Sequence, residues 1–165
     1  MPDFSIQDRR HLLAAEGWLE LGNWNEANEE LERIAAEMRG HPDVVEMRYR
    51  VYAAAGRWDY AHAVGQALVR MVPHRLGGWL GLAEAERMVA GVGLEKAYET
   101  LLAAAGHHPD EPVLHFRIAC YACQLGILPA AKMWLGTAFA LNPNLRLKAL
   151  DEPDLELFWR KIGWI

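Results

Sequence analysis

From Glu26 onward, apolar side chains fall at Ala27, Leu31, Ile34, Ala35 and Met38. That is the i, i+3, i+4, i+7 spacing of one helix face, and it predicts a helix across this stretch. The same kind of pattern recurs along the chain, and no stretch alternates apolar and polar residues as a half-buried strand would. Two segments, Asn23-Trp24-Asn25-Glu26 and Arg57-Trp58-Asp59-Tyr60, combine capping side chains with an aromatic expected to dock on the preceding helix.

The pattern has a long period. A small residue at a comparable place occurs at Ala27, Ala61, Ala97 and Ala131, separated by 34, 36 and 34 residues. Turn glycines stand five residues earlier at Gly22, Gly56 and Gly126, and the third unit has Gly91 and Gly93 instead. Prolines close the last three units at Pro73, Pro109 and Pro143. Several markers in one register indicate a repeated helical hairpin, and such a period is sought before any other feature because it decides the architecture. Small residues let paired helices approach closely, and larger neighbours fill the remaining space. One hairpin cannot bury its apolar side alone, so the core comes from stacking.

The residues that carry this period resemble the tetratricopeptide repeat. Trp79-x-x-Leu82-Ala83 matches its opening, and Ala27-x-x-x-Leu31, Ala97-x-x-x-Leu101 and Ala131-x-x-x-Leu135 match its middle. The resemblance covers about residues 8 to 145. It departs from the pattern at Arg48, where a buried leucine is expected, and at Gly65, which replaces a large residue. Two extra residues in the third unit fit a longer turn at Ala90-Gly91-Val92-Gly93. The resemblance implies an all-α fold: a right-handed superhelical α-solenoid of four hairpins plus a C-terminal capping helix, in one domain spanning residues 1–165. The repeats fall at about 8–41, 42–75, 76–111 and 112–145, with the cap at 146–165.

Within the cap, Asp151-Glu152-Pro153-Asp154 is a helix-start signal, and Leu155, Phe158, Trp159 and Ile162 then share one face. These aromatics are expected to cover the edge of the fourth hairpin; the alternative use is docking of a partner or of a second copy, giving a homodimer. The ending is similar to that of some bacterial repeat proteins.

What the resemblance implies about function is protein or peptide binding in a concave groove lined by the first helix of each hairpin. The groove-facing positions carried over are Arg9, Leu12, Glu16, Glu46, Arg50, Leu80, Glu84, Arg87, Phe116 and Cys120, with Leu19, Asp43, Ala53, Val113 and Cys123 also on that side. Leu12 and Glu16 stand where carboxylate-clamping relatives need donors, so that version of the fold's chemistry is not expected. Arg50 and Arg87 suit an acidic group on a partner, with Leu80 and Phe116 taking an apolar side chain. The bland counterpart pairs the same arginines with Glu46, Glu84 or Glu86 on a solvated face. A secretion-type chaperone cradling an extended client segment is the alternative function.

Composition narrows the rest. With 52% hydrophobic and 24% charged residues the chain is expected to fold, not to remain disordered. A net charge of −5 and scattered Lys and Arg argue against a nucleic-acid partner. No apolar run reaches the ~18 residues of a membrane span, and the first residues lack the pattern of a secretory leader; a cytoplasmic location is expected.

Motifs with chemical potential are weak. Cys120-Tyr121-Ala122-Cys123 lies late in a helix, away from the N-terminus that would activate a thiol. Metal binding there needs further ligands, and His115 points elsewhere. His107-His108-Pro109-Asp110-Glu111 reads as an inter-repeat turn. Gly77-Gly78 and Gly91-Val92-Gly93 lack the strand, lysine and hydroxyl of a phosphate loop. The tryptophans, including the equivalent Trp24 and Trp58, are expected in the core, and Trp134 is placed near Trp159. No enzyme, cofactor or metal site is expected.

Overall fold

The computed structural model describes residues 3–162. They form ten α-helices: α1 (Ile6–Glu20), α2 (Trp24–Arg33), α3 (Pro42–Ala54), α4 (Trp58–Met71), α5 (Leu76–Met88), α6 (Gly93–His107), α7 (Pro112–Gln124), α8 (Leu128–Leu141), α9 (Leu145–Leu150) and α10 (Glu156–Ile162). Short 3-10 turns occur at Ala36–Met38 and Pro153–Leu155. No strand occurs among the described residues. The fold is all-α, as the repeat predicts.

The chain divides into two compact units, Met1–Val89 and Ala90–Ile165. In the first, α1 packs on α2, α3 on α4 and α4 on α5, and α3 lies beside α1. In the second, α6 packs on α7 and α7 on α8, and the chain after α8 returns against α7.

Three hairpin turns share one backbone solution. Gly22, Gly56 and Gly126 have φ of 75°, 66° and 76°, a region costly for residues with a Cβ. In each, the glycine amide bonds the carbonyl three residues back, and the next amide reaches five back: Asn23 N to Trp18 O, Arg57 N to Tyr52 O and Ile127 N to Ala122 O, each at 2.8 Å. This double bond pattern satisfies the last carbonyls of one helix and turns the chain into the next. The periodic alanines Ala27, Ala61, Ala97 and Ala131 are all fully buried.

The second helix departs from its predicted length. Although Ile34 and Met38 are buried as its apolar pattern requires, α2 ends at Arg33, and Ile34 is extended with ψ of 137°. The cause is tertiary. The Asp8 carboxylate on α1 accepts the Ala35 amide at 2.9 Å, and Arg39 donates to the Ile34 and Glu32 carbonyls at 3.1 and 2.5 Å. These bonds satisfy polar groups that another helical turn would have used, so the helix breaks without orphaning its end.

Asp8 also accepts from the Ser5 hydroxyl at 2.6 Å, and the Ser5 oxygen caps the Asp8 amide. The Ala35 amide and then the Ser5 hydroxyl hold the Asp8 carboxyl below its ordinary value of 3.8. A carboxylate whose folded pKa is depressed contributes stability above its unfolded pKa, and that contribution is lost as pH falls through the folded value. The melting temperature of the wild type is therefore expected to fall on acidification below about pH 4. Asp8→Asn should be less stable near neutrality and show a shallower acid limb, read by thermal melts across pH; parallel limbs would remove Asp8 from the acid response.

Glycine also sets helix approach in the first unit. A Cβ on Gly65 would lie 3.2 Å from the Leu82 Cα, and one on Gly81 would lie 2.8 Å from the Tyr49 ring. Gly65, the departure from the repeat pattern, is thus where α4 meets the backbone of α5. Arg48, the other departure, is half-buried and donates to Glu32 on α2 at 2.8 Å, so a charged residue at this place is satisfied by its neighbour.

The tryptophans are less uniform than predicted. Trp58 packs beside the Tyr49–Ala61–Ala85 cluster, whereas Trp24 is 38% exposed. Trp134 stacks on His115 at 5.2 Å, while Trp159 meets Phe158 edge-on and donates its indole N–H to the Ala149 carbonyl at 2.9 Å. In the cap, Leu155 and Phe158 are fully buried. The Ile162 side chain lies outside the described residues.

Candidate functional site

On α1, the buried Ala15 and the His11–Glu30 contact at 2.7 Å turn one side of the helix toward α2. Leu12, Leu13 and Glu16 lie next to that stripe. On α3, Val44, Met47 and Val51 are buried, and Asp43, Glu46, Met47 and Arg50 run at i, i+3, i+4 and i+7 along the adjoining side. The two rows enclose a cavity of about 240 Å³ lined by Leu12, Leu13, Glu16, Asp43, Glu46, Met47 and Arg50. Its apolar surface comes from both helices, and Leu13 is 61% exposed within it.

Ion pairs fix the polar part. Arg50 on α3 donates to Glu16 on α1 at 2.9 Å, crossing the cleft. Arg75, just before α5, donates to Asp43 at 2.5 Å and Glu46 at 3.3 Å. All five side chains are partly exposed, so each pair contributes only about 0–1 kcal/mol and can be remade around a ligand.

Four of the predicted site residues, Leu12, Glu16, Glu46 and Arg50, therefore meet in one cavity. Arg9 is exposed on α1 but does not line it. Leu80, Glu84 and Arg87 lie at i, i+4 and i+7 on α5; Glu84 is exposed and the other two are half-buried. The partner of Arg50 is Glu16, and not the Glu46, Glu84 or Glu86 of the solvated-face expectation.

Phe116 and Cys120 depart from expectation. They belong to the second unit, where Phe116 is 2% exposed and Cys120 fully buried, so neither presents an open surface. The returning C-terminal segment lies against α7 and covers this side. Lys148 sits 5.5 Å from the Phe116 ring.

The same segment governs the chemistry of the thiols. Cys120 and Cys123 are free and buried. Burial pushes the Cys120 thiol well above its ordinary range, and the Glu152 and Asp154 carboxylates push it further; burial likewise raises Cys123. Cys120, Glu152 and Asp154 place one potential ligand atom each within 4.8 Å of one another. The thiol there holds its proton, the opposite of an activated nucleophile. His115 donates its Nε2–H to the Pro109 carbonyl at 2.6 Å and stacks on Trp134, a structural setting.

The sequence reading missed Leu13, Met47 and Arg75. Leu13 is the exposed neighbour of a residue already assigned to the groove. Met47 serves the core and the cleft wall together. Arg75 lies in an inter-repeat turn, where no helix periodicity points to it.

A second hollow of about 390 Å³ is lined by Leu150, Asp151, Glu152, Pro153, Glu156, Trp159 and Arg160. Its walls all come from the short helices α9 and α10 and the turn between them, whereas the cleft between α1 and α3 is held by two longer helices. No described helix is long and apolar enough to cross a membrane.

No family model and no curated protein sequence matches this chain. Among solved structures, a thermophilic TPR protein of Thermus thermophilus is similar over 93% of this chain and 87% of its own, with 24% identity and a TM-score of 0.71. MamA MSR-1 C2 is similar over 86% of this chain and 79% of its own, with 20% identity and a TM-score of 0.67. At these identities the likeness establishes the fold, which is of the tetratricopeptide-repeat type.

Proposed function

We propose that this chain is a non-catalytic interaction module, an adaptor that seats a peptide or protein partner in the cleft between α1 and α3. The observation that carries the reading is that cleft: exposed leucine and loosely held charges from two helices converge on one hollow. Stacked helical hairpins commonly present such surfaces to partners. The cleft brings carboxylates and a guanidinium group together beside an apolar surface, a mix suited to a partner's side chains.

Leu13 is exposed, so Leu13→Glu should leave the fold intact while placing a charge where a partner's apolar side chain would rest. Affinity capture from native lysate with wild type and Leu13→Glu is expected to show a partner retained by the first and lost by the second, with matching melting temperatures. Equal capture by both would remove the cleft from the reading.

A further inference from the structure

The charge balance of the cleft identifies the kind of partner segment it accepts. Its lining carries three carboxylates, on Glu16, Asp43 and Glu46, and one guanidinium, on Arg50. Arg75 approaches from outside the lining and is held by Asp43 and Glu46. Three negative groups thus face two positive ones, and both positive groups already have carboxylate partners.

The oxygens give the same answer. Glu16 uses Oε1 for Arg50, and Glu46 uses Oε2 for Arg75. The other oxygen of each carboxylate makes no hydrogen bond within the described chain, and both side chains are more than a third exposed. Carboxylate oxygens accept only, so a partner group that meets them is a donor, best a charged one. Beside them, Leu12, Leu13 and Met47 leave an apolar surface without a polar partner of its own. A net charge of −5 on the whole chain adds a weak pull in the same direction.

Building on the cleft reading, we infer that the occupant is an extended segment of a partner protein carrying a lysine or arginine next to a leucine-sized apolar residue. The basic side chain bridges Glu16 and Glu46, and the apolar one rests on Leu12, Leu13 and Met47. This reverses the sign expected from the arginines alone, because Arg50 is answered from within by Glu16.

The test is a positional-scanning library of short random peptides passed over the immobilised full chain, followed by fluorescence anisotropy of the selected peptide. A basic-plus-apolar consensus is expected. Its affinity should fall about three- to fivefold for each of Glu16→Gln and Glu46→Gln, the scale of an exposed charge contact, and fall with added salt. Leu13→Glu should abolish the apolar preference. An acidic consensus that Leu13→Glu still disrupts would overturn this inference and leave the cleft as the binding site. A consensus indifferent to Leu13→Glu, or no peptide retained at all, would overturn both.

Discussion

Replacing Phe158 by alanine is expected to detach the C-terminal segment and make the two buried cysteines reactive. Phe158 is fully buried, and truncating such a residue to alanine costs about 3–5 kcal/mol. Leu155 is the segment's other fully buried anchor, and its short backbone adds little of its own. The helix α10 has seven residues and the turn before it three, far below the ~12–15 needed for a helix to persist in isolation. The loss should therefore appear as local opening, with α6, α7 and α8 still paired. Cys120 and Cys123 report it directly, because the segment covers them and burial keeps their thiols protonated. Modification by a disulfide reagent at neutral pH is expected to be slow in the wild type and faster by about a hundredfold or more in Phe158→Ala, as an opening eased by ~3 kcal/mol implies. Far-ultraviolet circular dichroism should lose only a small part of its helical signal. Unchanged thiol reactivity would show that the covering segment does not control access to α7.

The same segment marks the limit of what the sequence reveals. Its apolar positions Leu155 and Phe158 are readable as a buried face, and they are buried. Which surface they cover is not written in their spacing. That depends on where the chain after α8 returns, and it takes Phe116 and Cys120 out of the groove to which the repeat resemblance assigns them. Features set by local backbone requirements are legible: a positive φ at Gly22, Gly56 and Gly126, and a small side chain at Ala27, Ala61, Ala97 and Ala131, leave a periodic record. The end of α2 leaves none, because the carboxylate that takes the Ala35 amide comes from Asp8, 27 residues earlier. Periodicity continues through Met38 since burial continues there, although the helix does not.

The proposed site is legible to a similar extent. Leu12 and Glu16 share one side of α1, and Glu46 and Arg50 share one side of α3, so helix geometry groups them in pairs. That the two pairs face one another follows from packing of the hairpins. The internal ion pairs were open in the sequence, since Arg50 had several carboxylates within reach of its helix face. Their identity matters for function, because an arginine already paired to Glu16 recruits an external acid less readily than an unpaired one.

Gly81→Ala is expected to lower stability by about 1–2 kcal/mol, against the direction that helix propensity alone gives. Within a helix interior, alanine is favoured over glycine by about 1 kcal/mol. That gain should appear at Gly17 on α1, where an added Cβ meets nothing within 4 Å, so Gly17→Ala should raise stability by roughly 0.5–1 kcal/mol. At Gly81 the added methyl would fall 2.8 Å from two atoms of the Tyr49 ring. The ring cannot simply withdraw, because Tyr49 is buried and its hydroxyl donates to the Gly81 carbonyl at 2.8 Å. Moving it breaks a buried hydrogen bond, and keeping it forces α3 and α5 apart; overpacking of this kind costs about 1–3 kcal/mol, which exceeds the propensity gain. Urea midpoints for the two variants should shift in opposite directions. In a Tyr49→Leu background, Gly81→Ala should lose most of its penalty, since the ring that causes the clash is gone. A stabilising Gly81→Ala in the wild-type background would mean that α3 and α5 are packed more loosely than this contact requires.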